Sequence, residues 1–271
     1  MKPKTILRSV EPMLLQAKQA FKSGRFQQSE QLLRDILRLQ PHNADAWNWL
    51  GLNACEQRQF PKAAKHLAEA ISLKPAEPLY LRNLGQIFER GGKLKEGLRY
   101  YEAAAKLRPL DPDLQLLLGC AFSRLQLQDE ADACFRKVVE LKPDCGEALM
   151  HLGDLPAAEA ALLATLERQP DDADSYNLLG HIRTRLGQPL AAIEKYAKAL
   201  QLRPDLHIAR WNLALAQLLL GNYAEGFANY DARRKVFGDR ERFYHLPDAS
   251  RWRGDSLAGR QLLVWAEQGQ G

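Results

Sequence analysis

The sequence contains no apolar stretch that could cross a membrane as a helix. Such a helix needs about 20 consecutive apolar residues, and the hydrophobic residues, 46% of the 271, are interrupted by charges throughout. The N-terminal segment MKPKTILRSV carries basic side chains but no continuous apolar segment, unlike a secretory signal. We therefore expect a cytoplasmic protein without membrane insertion.

Cysteine is scarce, and its spacing argues against the usual cysteine-based sites. The four cysteines are Cys55, Cys120, Cys134 and Cys145. No two of them form a C-x-x-C pair, and no matching pair of histidines follows, so the sequence predicts neither a metal centre nor a disulfide framework. We expect small reduced side chains in helix packing, and no bound cofactor.

Charge of one sign is not concentrated anywhere. The net charge is +5, from 38 basic and 33 acidic residues, and the two signs alternate through most of the chain. Interleaved charge is typical of solvated helix faces, whereas nucleic-acid binding needs a basic stripe. We therefore expect no nucleic-acid partner.

The sequence does contain a regular internal repeat, which its prolines reveal. Pro41, Pro75, Pro109 and Pro143 are each 34 residues apart, and Pro170 and Pro204 follow after steps of 27 and 34. A ladder of small residues has the same steps: Ser29, Ala63, Gly97, Ala131, Ala158, Ala192 and Gly226. Small residues let two helices approach closely, and proline marks a place where a helix cannot continue.

A ladder of leucines has the same period. It consists of Leu50, Leu84, Leu118, Leu152, Leu179 and Leu213, and glycine follows the leucine at Gly51, Gly85, Gly119 and Gly180. Bulky residues recur four positions after each small residue, as in Leu67 after Ala63, so they lie on the same helix face and fill the gap beside it. Each period therefore predicts a pair of packed helices joined by a turn.

These ladders resemble the tetratricopeptide repeat, a 34-residue helix–turn–helix unit. The resemblance is carried by Trp47, Leu50, Gly51, Ala63, Leu67, Ala70 and Pro75 and their counterparts. It implies an all-α fold, a right-handed superhelical solenoid of helix–turn–helix repeats with a short non-repeat C-terminal tail. Seven repeats are expected within 10–240: 10–43, 44–77, 78–111, 112–145, 146–172, 173–206 and about 207–240.

Two repeats depart from the pattern. The first has Gln16 and Ala17 in place of leucine and glycine, as in a less regular terminal repeat. The fifth, 146–172, is seven residues short, and we expect Gly153 to fill both the mid-helix and the turn position. Since seven residues make almost two helical turns, the helix faces stay in phase, and the first helix of this repeat should be a stunted one at about 146–152.

The resemblance implies a function in binding, because the first helices of such repeats line a concave groove. The sequence predicts these groove residues: Asn48, Trp49, Arg82, Asn83, Gln86, Arg90, Arg124, Asn177, His181, Arg185, Trp211 and Asn212, with Glu56, Asp113, Leu117 and Thr184 on the same stripe. Amides can pair with an extended backbone, arginines with carboxylates, and tryptophan can anchor a partner. Alternatively, the polar residues simply occupy a solvated surface, and Trp49 and Trp211 pack partly between helices.

Two narrower readings of the groove have less support. The clamp with which some family members hold a chaperone's C-terminal carboxylate needs lysine, asparagine and arginine in a set of which only Arg82 and Asn83 are present, so that partner is not assigned. Asn83 and Asn212 resemble the asparagine ladder of the repeat domain of O-linked N-acetylglucosamine transferase.

His151 and His181 lie on helices without a paired nucleophile, so we expect no catalysis by this chain.

After about residue 240 the period stops. Residues 241–260 read as a connector, 261–266 as a candidate strand, and Gly269 and Gly271 as the remnant of a nucleotide-sugar loop. With Trp252-Arg253-Gly254, this segment resembles the junction at which such repeats precede a heptosyltransferase-like glycosyltransferase domain in bacterial proteins. Two functions therefore stay open: an interaction scaffold, or the substrate-recognition arm of a glycosyltransferase. The tail could also cap the last repeat, pair with another copy of the chain, or be disordered.

Overall fold

The computed structural model describes residues 3–237, and every structural statement below concerns that range. The expected connector, strand and glycine-rich turn within 241–271 lie outside it. The chain divides into two compact units, 1–143 and 144–271, here called the first and second units. The described residues of both units are helices joined by short turns.

The first unit contains four pairs of helices. Their bounds are α1 Pro3–Lys22, α2 Phe26–Leu39, α3 Ala44–Glu56, α4 Phe60–Leu73, α5 Pro78–Arg90, α6 Leu94–Leu107, α7 Pro112–Arg124 and α8 Gln128–Leu141. The second unit continues the pattern with α9 Gly146–His151, α10 Leu155–Arg168, α11 Ala173–Arg185, α12 Pro189–Leu202, α13 His207–Leu219, α14 Tyr223–Tyr230 and α15 Arg233–Phe237.

Packing in both units follows the order of the repeats. The two helices of a repeat pack on each other, and the first helix of the next repeat packs on the second helix before it, as α5 packs on both α4 and α6. First helices of successive repeats also contact one another, α1 with α3 and α3 with α5 in the first unit, and α9 with α11 and α11 with α13 in the second. First helices therefore share one face of each unit.

The glycine after the ladder leucine is required by close helix packing. A Cβ atom on Gly85 would lie 2.4 Å from Cε1 of Tyr101, and one on Gly51 would lie 2.0 Å from Cδ1 of Leu67. The bulky residue of the second helix thus packs directly on the bare backbone of the first. Tyr101 and Leu67 are fully buried as a result.

The turn between the two helices of each repeat uses one residue in the left-handed region. These residues are Gly24, Arg58, Gly92, Gln126, Gly153, Gly187 and Gly221, at one register position in the seven repeats. Glycine reaches this conformation without the steric penalty that a Cβ atom brings. Arg58 (φ 58°) and Gln126 (φ 62°) adopt it with a side chain present.

The shortened fifth repeat has the expected stunted first helix, α9, of six residues, but its predicted register is wrong. A Cβ on Gly146 would lie 2.6 Å from Cγ of Leu162, so Gly146 occupies the position that Gly85 has against Tyr101. Gly153 (φ 86°) serves the turn alone, and Leu152 is the C-cap residue. The missing residues are therefore those that would begin the helix.

The structure also bears on membrane insertion and on the state of the cysteines. No helix among residues 3–237 combines the length and the apolar character that crossing a membrane requires. All four cysteines are free thiols, with Cys55 and Cys134 buried and Cys120 and Cys145 half-buried.

Candidate partner-binding faces

The candidate site is the face that the first helices share in each unit, here called the first-helix face. It is formed by α1, α3, α5 and α7 in the first unit and by α9, α11 and α13 in the second. All twelve predicted groove residues lie on these helices. Their environments differ, and the difference separates residues that hold the helices together from residues that are available to a partner.

The predicted asparagines pair with each other across neighbouring first helices. Nδ2 of Asn83 donates to Oδ1 of Asn48 at 2.8 Å, and the two residues are only 4% and 2% exposed. Nδ2 of Asn212 donates to Oδ1 of Asn177 at 3.1 Å in the second unit, again over a separation of 35 residues. The amides of Asn48 and Asn83 therefore fix the spacing of α3 and α5, instead of facing solvent.

Two of the predicted arginines are engaged by acidic side chains one repeat earlier. Nη1 of Arg90 donates to Oε1 of Glu56 at 2.5 Å, a bond that raises the pKa of Arg90. Arg124 forms an ion pair with Glu89, which also accepts a bond from the hydroxyl of Tyr101 at 2.5 Å. These ion pairs join the ends of α3, α5 and α7.

Arg82 has a different environment from these arginines. It is half-buried on α5, and its Nε atom is buried without a hydrogen-bond partner among the described residues. Gln86, four residues later on the same helix, is also half-buried. Positions four apart lie on one helix face, so Arg82 and Gln86 present a guanidinium and an amide side by side on the first-helix face.

The two predicted tryptophans both pack against aromatic neighbours. Trp49 meets Phe21 edge-on at 5.3 Å between ring centroids, and Nζ of Lys18 lies 5.6 Å from its ring. Trp211 lies 4.8 Å from Tyr230. Both are half-buried, so the sequence-based alternative of partial packing between helices describes their contacts, while part of each ring still faces solvent.

The second unit places Arg185 and His181 beside the short helix α9. Nη1 of Arg185 donates to the carbonyl of Met150 at 2.7 Å, and this bond satisfies a carbonyl at the C-terminal end of α9. Partial burial, and then the charge of Arg185, lower the pKa of His181, which favours the neutral ring. Burial, and then the charges of His181 and Arg185, lower the pKa of His151 as well.

Sequence reasoning missed two partners of the predicted residues. Glu89 pairs with Arg124 and also accepts a bond from the hydroxyl of Tyr101 on α6, and the carbonyl of Met150 receives Arg185. The 35-residue separation between Glu89 and Arg124 was a usable signal, because it equals one repeat plus one position. The bond to Met150 gave no side-chain signal, since a backbone carbonyl carries no sequence information.

Comparison with known proteins establishes the class. The sequence pattern of the family described as "Tetratricopeptide repeat" matches residues 14–78, 52–113, 146–207 and 179–235, and a second pattern of the same description matches 112–145. The chain therefore belongs to the tetratricopeptide repeat family. By fold it is a scaffold of the kind used in protein–protein interaction.

Two curated relatives cover most of the chain. It is 24% identical over 269 residues to Protein FlbA of Caulobacter vibrioides, a match covering 95% of this chain and 45% of FlbA. It is 26% identical over 210 residues to human Protein O-mannosyl-transferase TMTC3, a match covering 68% of this chain and 23% of TMTC3. The chain thus spans less than half the length of either relative.

Solved structures agree on the fold. A tetratricopeptide repeat protein from Parabacteroides merdae matches with a TM-score of 0.63 and 15% identity, covering 86% of this chain and 95% of that one. A chain of the Cut9–Hcn1 hetero-tetramer of the APC/C matches with a TM-score of 0.61 and 17% identity, over 83% of this chain and 46% of its own. At these identities the likeness concerns the fold alone.

Proposed function

We propose that this chain is a protein-interaction scaffold that holds an extended segment of a partner protein along its first-helix face. The observation that supports the proposal is the direct contact between successive first helices, which brings side chains from several repeats into one strip. An extended peptide crossing these helices would meet groups from each repeat in turn. Arg82, Gln86 and the open part of Trp49 offer it a charge, an amide and an aromatic surface.

Site-specific photo-crosslinking tests this assignment without removing any contact that stabilises the helices. A benzophenone-bearing residue replaces Gln86 on the first-helix face in one variant and Lys65, exposed on the second helix α4, in the other. We expect partner adducts from position 86 and few or none from position 65, with equal helicity by circular dichroism. Adducts of equal yield and identity from both positions would contradict the proposal.

A second candidate function is the substrate-recognition arm of a glycosyltransferase. It is supported by one relative, an O-mannosyl-transferase of which this chain matches 23%, and by the junction-like sequence within 241–271. In this reading the chain itself carries no catalytic site and orients an acceptor protein. Reading the complete gene is the test: several hundred further codons with alternating strand and helix patterns would favour it, and a stop codon after Gly271 would exclude it.

We also propose that partner binding occurs in the cytoplasm. The four cysteines are free thiols, which suits a reducing compartment. Localisation of a fluorescent fusion to the full-length protein tests this point, and export from the cytoplasm would contradict it.

A further inference from the structure

We propose that Arg82 binds an acidic side chain, aspartate or glutamate, within the partner's extended segment. This inference rests on the proposed function, because it names the chemistry that the first-helix face of the first unit would recognise. It is carried by the contrast between Arg82 and the other charged groups on that face.

Three acidic side chains on this face already have partners within the chain. Glu56 is held by Arg90, and Glu89 by Arg124 and Tyr101. Asp45 accepts a bond from the hydroxyl of Tyr80 at 2.8 Å and pairs with Lys74 at 3.7 Å. These acids are therefore not available to neutralise Arg82.

Among residues 3–237, Arg82 forms no ion pair within 4.0 Å, and its buried Nε has no hydrogen-bond partner. Asp113, the remaining acid among the sequence-predicted groove residues, forms no ion pair with it within 4.0 Å in the part of the chain that the structure describes. Burial raises the pKa of Tyr101, and the charge of Arg82 opposes that shift. Arg82 thus lies close enough to Tyr101 to influence its pKa, yet no acidic side chain in the described part of the chain forms an ion pair with it.

An unpartnered guanidinium nitrogen that is shielded from water is costly to leave unsatisfied. A guanidinium presents a planar fork of donors that fits a carboxylate in two parallel bonds. A carboxylate entering from the first-helix face would satisfy that fork. Gln86, on the same helix face, would then be placed to bond the backbone beside the acidic residue.

A side-chain carboxylate fits this site better than a phosphate. Phosphate groups are usually held by clusters of arginines, whereas Arg90 and Arg124 are occupied by Glu56 and Glu89. Lys18, a further cation on this face, lies over the ring of Trp49. One forked donor with an adjacent amide matches a single acidic residue in an extended chain.

The test uses the full chain and synthetic peptides of alternating alanine and glutamate, labelled with fluorescein and amidated at the C-terminus. Fluorescence anisotropy gives the affinity at two salt concentrations, because a specific paired contact is screened less than a diffuse attraction. The same peptide with glutamine in place of glutamate measures binding without charge. A glutamine peptide with a free C-terminus measures binding of a terminal carboxylate.

We expect the glutamate peptide to bind, and Arg82→Gln to weaken it about tenfold or more. Arg82→Lys keeps the charge but loses the forked pair of donors, so its affinity should fall between that of the unchanged protein and that of Arg82→Gln. Arg99→Gln, an exposed change on the second helix α6, is the matched control and should stay within about twofold. Unfolding midpoints of all variants show whether a loss of binding reflects a loss of fold.

Three results would overturn the inference: no binding of the glutamate peptide, equal losses from Arg82→Gln and Arg99→Gln, or preference for the free C-terminus of the glutamine peptide. Its failure can be told apart from failure of the proposed function. If crosslinks from position 86 persist while Arg82→Gln binds normally, the scaffold stands and only the acidic-residue assignment falls. If position 86 captures nothing, the scaffold proposal falls as well.

Discussion

At the scale of the residue, strain is concentrated at the inter-helix turn. Five of the seven turns have glycine at the left-handed position, and two have Arg58 and Gln126 instead. An L-residue pays roughly 1–2 kcal/mol to adopt this conformation. Both side chains are exposed, so packing does not compensate for the cost.

Gln126→Gly should therefore stabilise the protein. Relief of the strained conformation outweighs the extra freedom of glycine in the unfolded chain, which costs about 0.5–1 kcal/mol, and we expect a net gain of about 0.5–1 kcal/mol. Urea unfolding measures it. Gln31→Gly, in the middle of α2 and also exposed, is the control and should lose about 1 kcal/mol. A loss at both positions would contradict the interpretation.

A second prediction at this scale concerns the hydrogen bond between Asn48 and Asn83. Asn83→Ala leaves the buried Oδ1 of Asn48 without its donor and should cost about 1–3 kcal/mol. Asn212→Ala breaks the equivalent bond where both partners are only half-buried, so its cost should be smaller. Thermal unfolding compares the two. If Asn48→Ala and Asn83→Ala have strictly additive effects in the double variant, the bond does not couple the helices.

At the scale of the element, the ion pairs between successive first helices contribute little stability. The Arg90–Glu56 pair is well exposed, with 45% and 37% of the two side chains accessible, so water and salt screen it. Arg90→Gln should reduce the free energy of unfolding by less than about 1 kcal/mol, and the difference should shrink in 1 M salt, measured by urea unfolding. A salt-independent loss of several kcal/mol would contradict this account.

The short helix α9 should open more readily than the 13- and 14-residue helices of the second unit. Six residues form few intrahelical hydrogen bonds, and such a helix depends on packing for its stability. We expect its backbone amides to exchange with deuterium about tenfold or more faster than those of α11, which has 13 residues. Mass spectrometry of peptic fragments measures both helices in one sample. Equal protection of α9 and α11 would contradict the expectation.

The helices and turns could be read from the sequence because the repeat fixes them seven times over. The small and bulky ladders located the helix pairs, and each repeat predicted a turn between its two helices. The register of the shortened repeat could not be read this way, because Leu152 and Gly153 imitate the leucine–glycine pair. The contact of Gly146 with Leu162 decided it. Likewise the sequence marked Asn48 and Asn83 as polar, but only packing distinguishes an amide paired to its neighbour from one open to a partner.

At the scale of the whole molecule, the first unit has the contacts that it needs to fold alone. Repeat proteins are stabilised by contacts within a repeat and between neighbours, and about three or more repeats suffice. Residues 1–143 form four helix pairs, each packed on the next. We therefore expect a fragment of residues 1–143 to be helical by circular dichroism and to unfold cooperatively in urea, with a midpoint below that of the full chain because fewer interfaces are present. Asn83→Ala in the fragment should cost about as much as in the full chain, since the bond that it breaks lies wholly within the first unit. A fragment that is disordered, and that becomes helical only when joined to residues 144–271, would show that its folding depends on residues beyond 143.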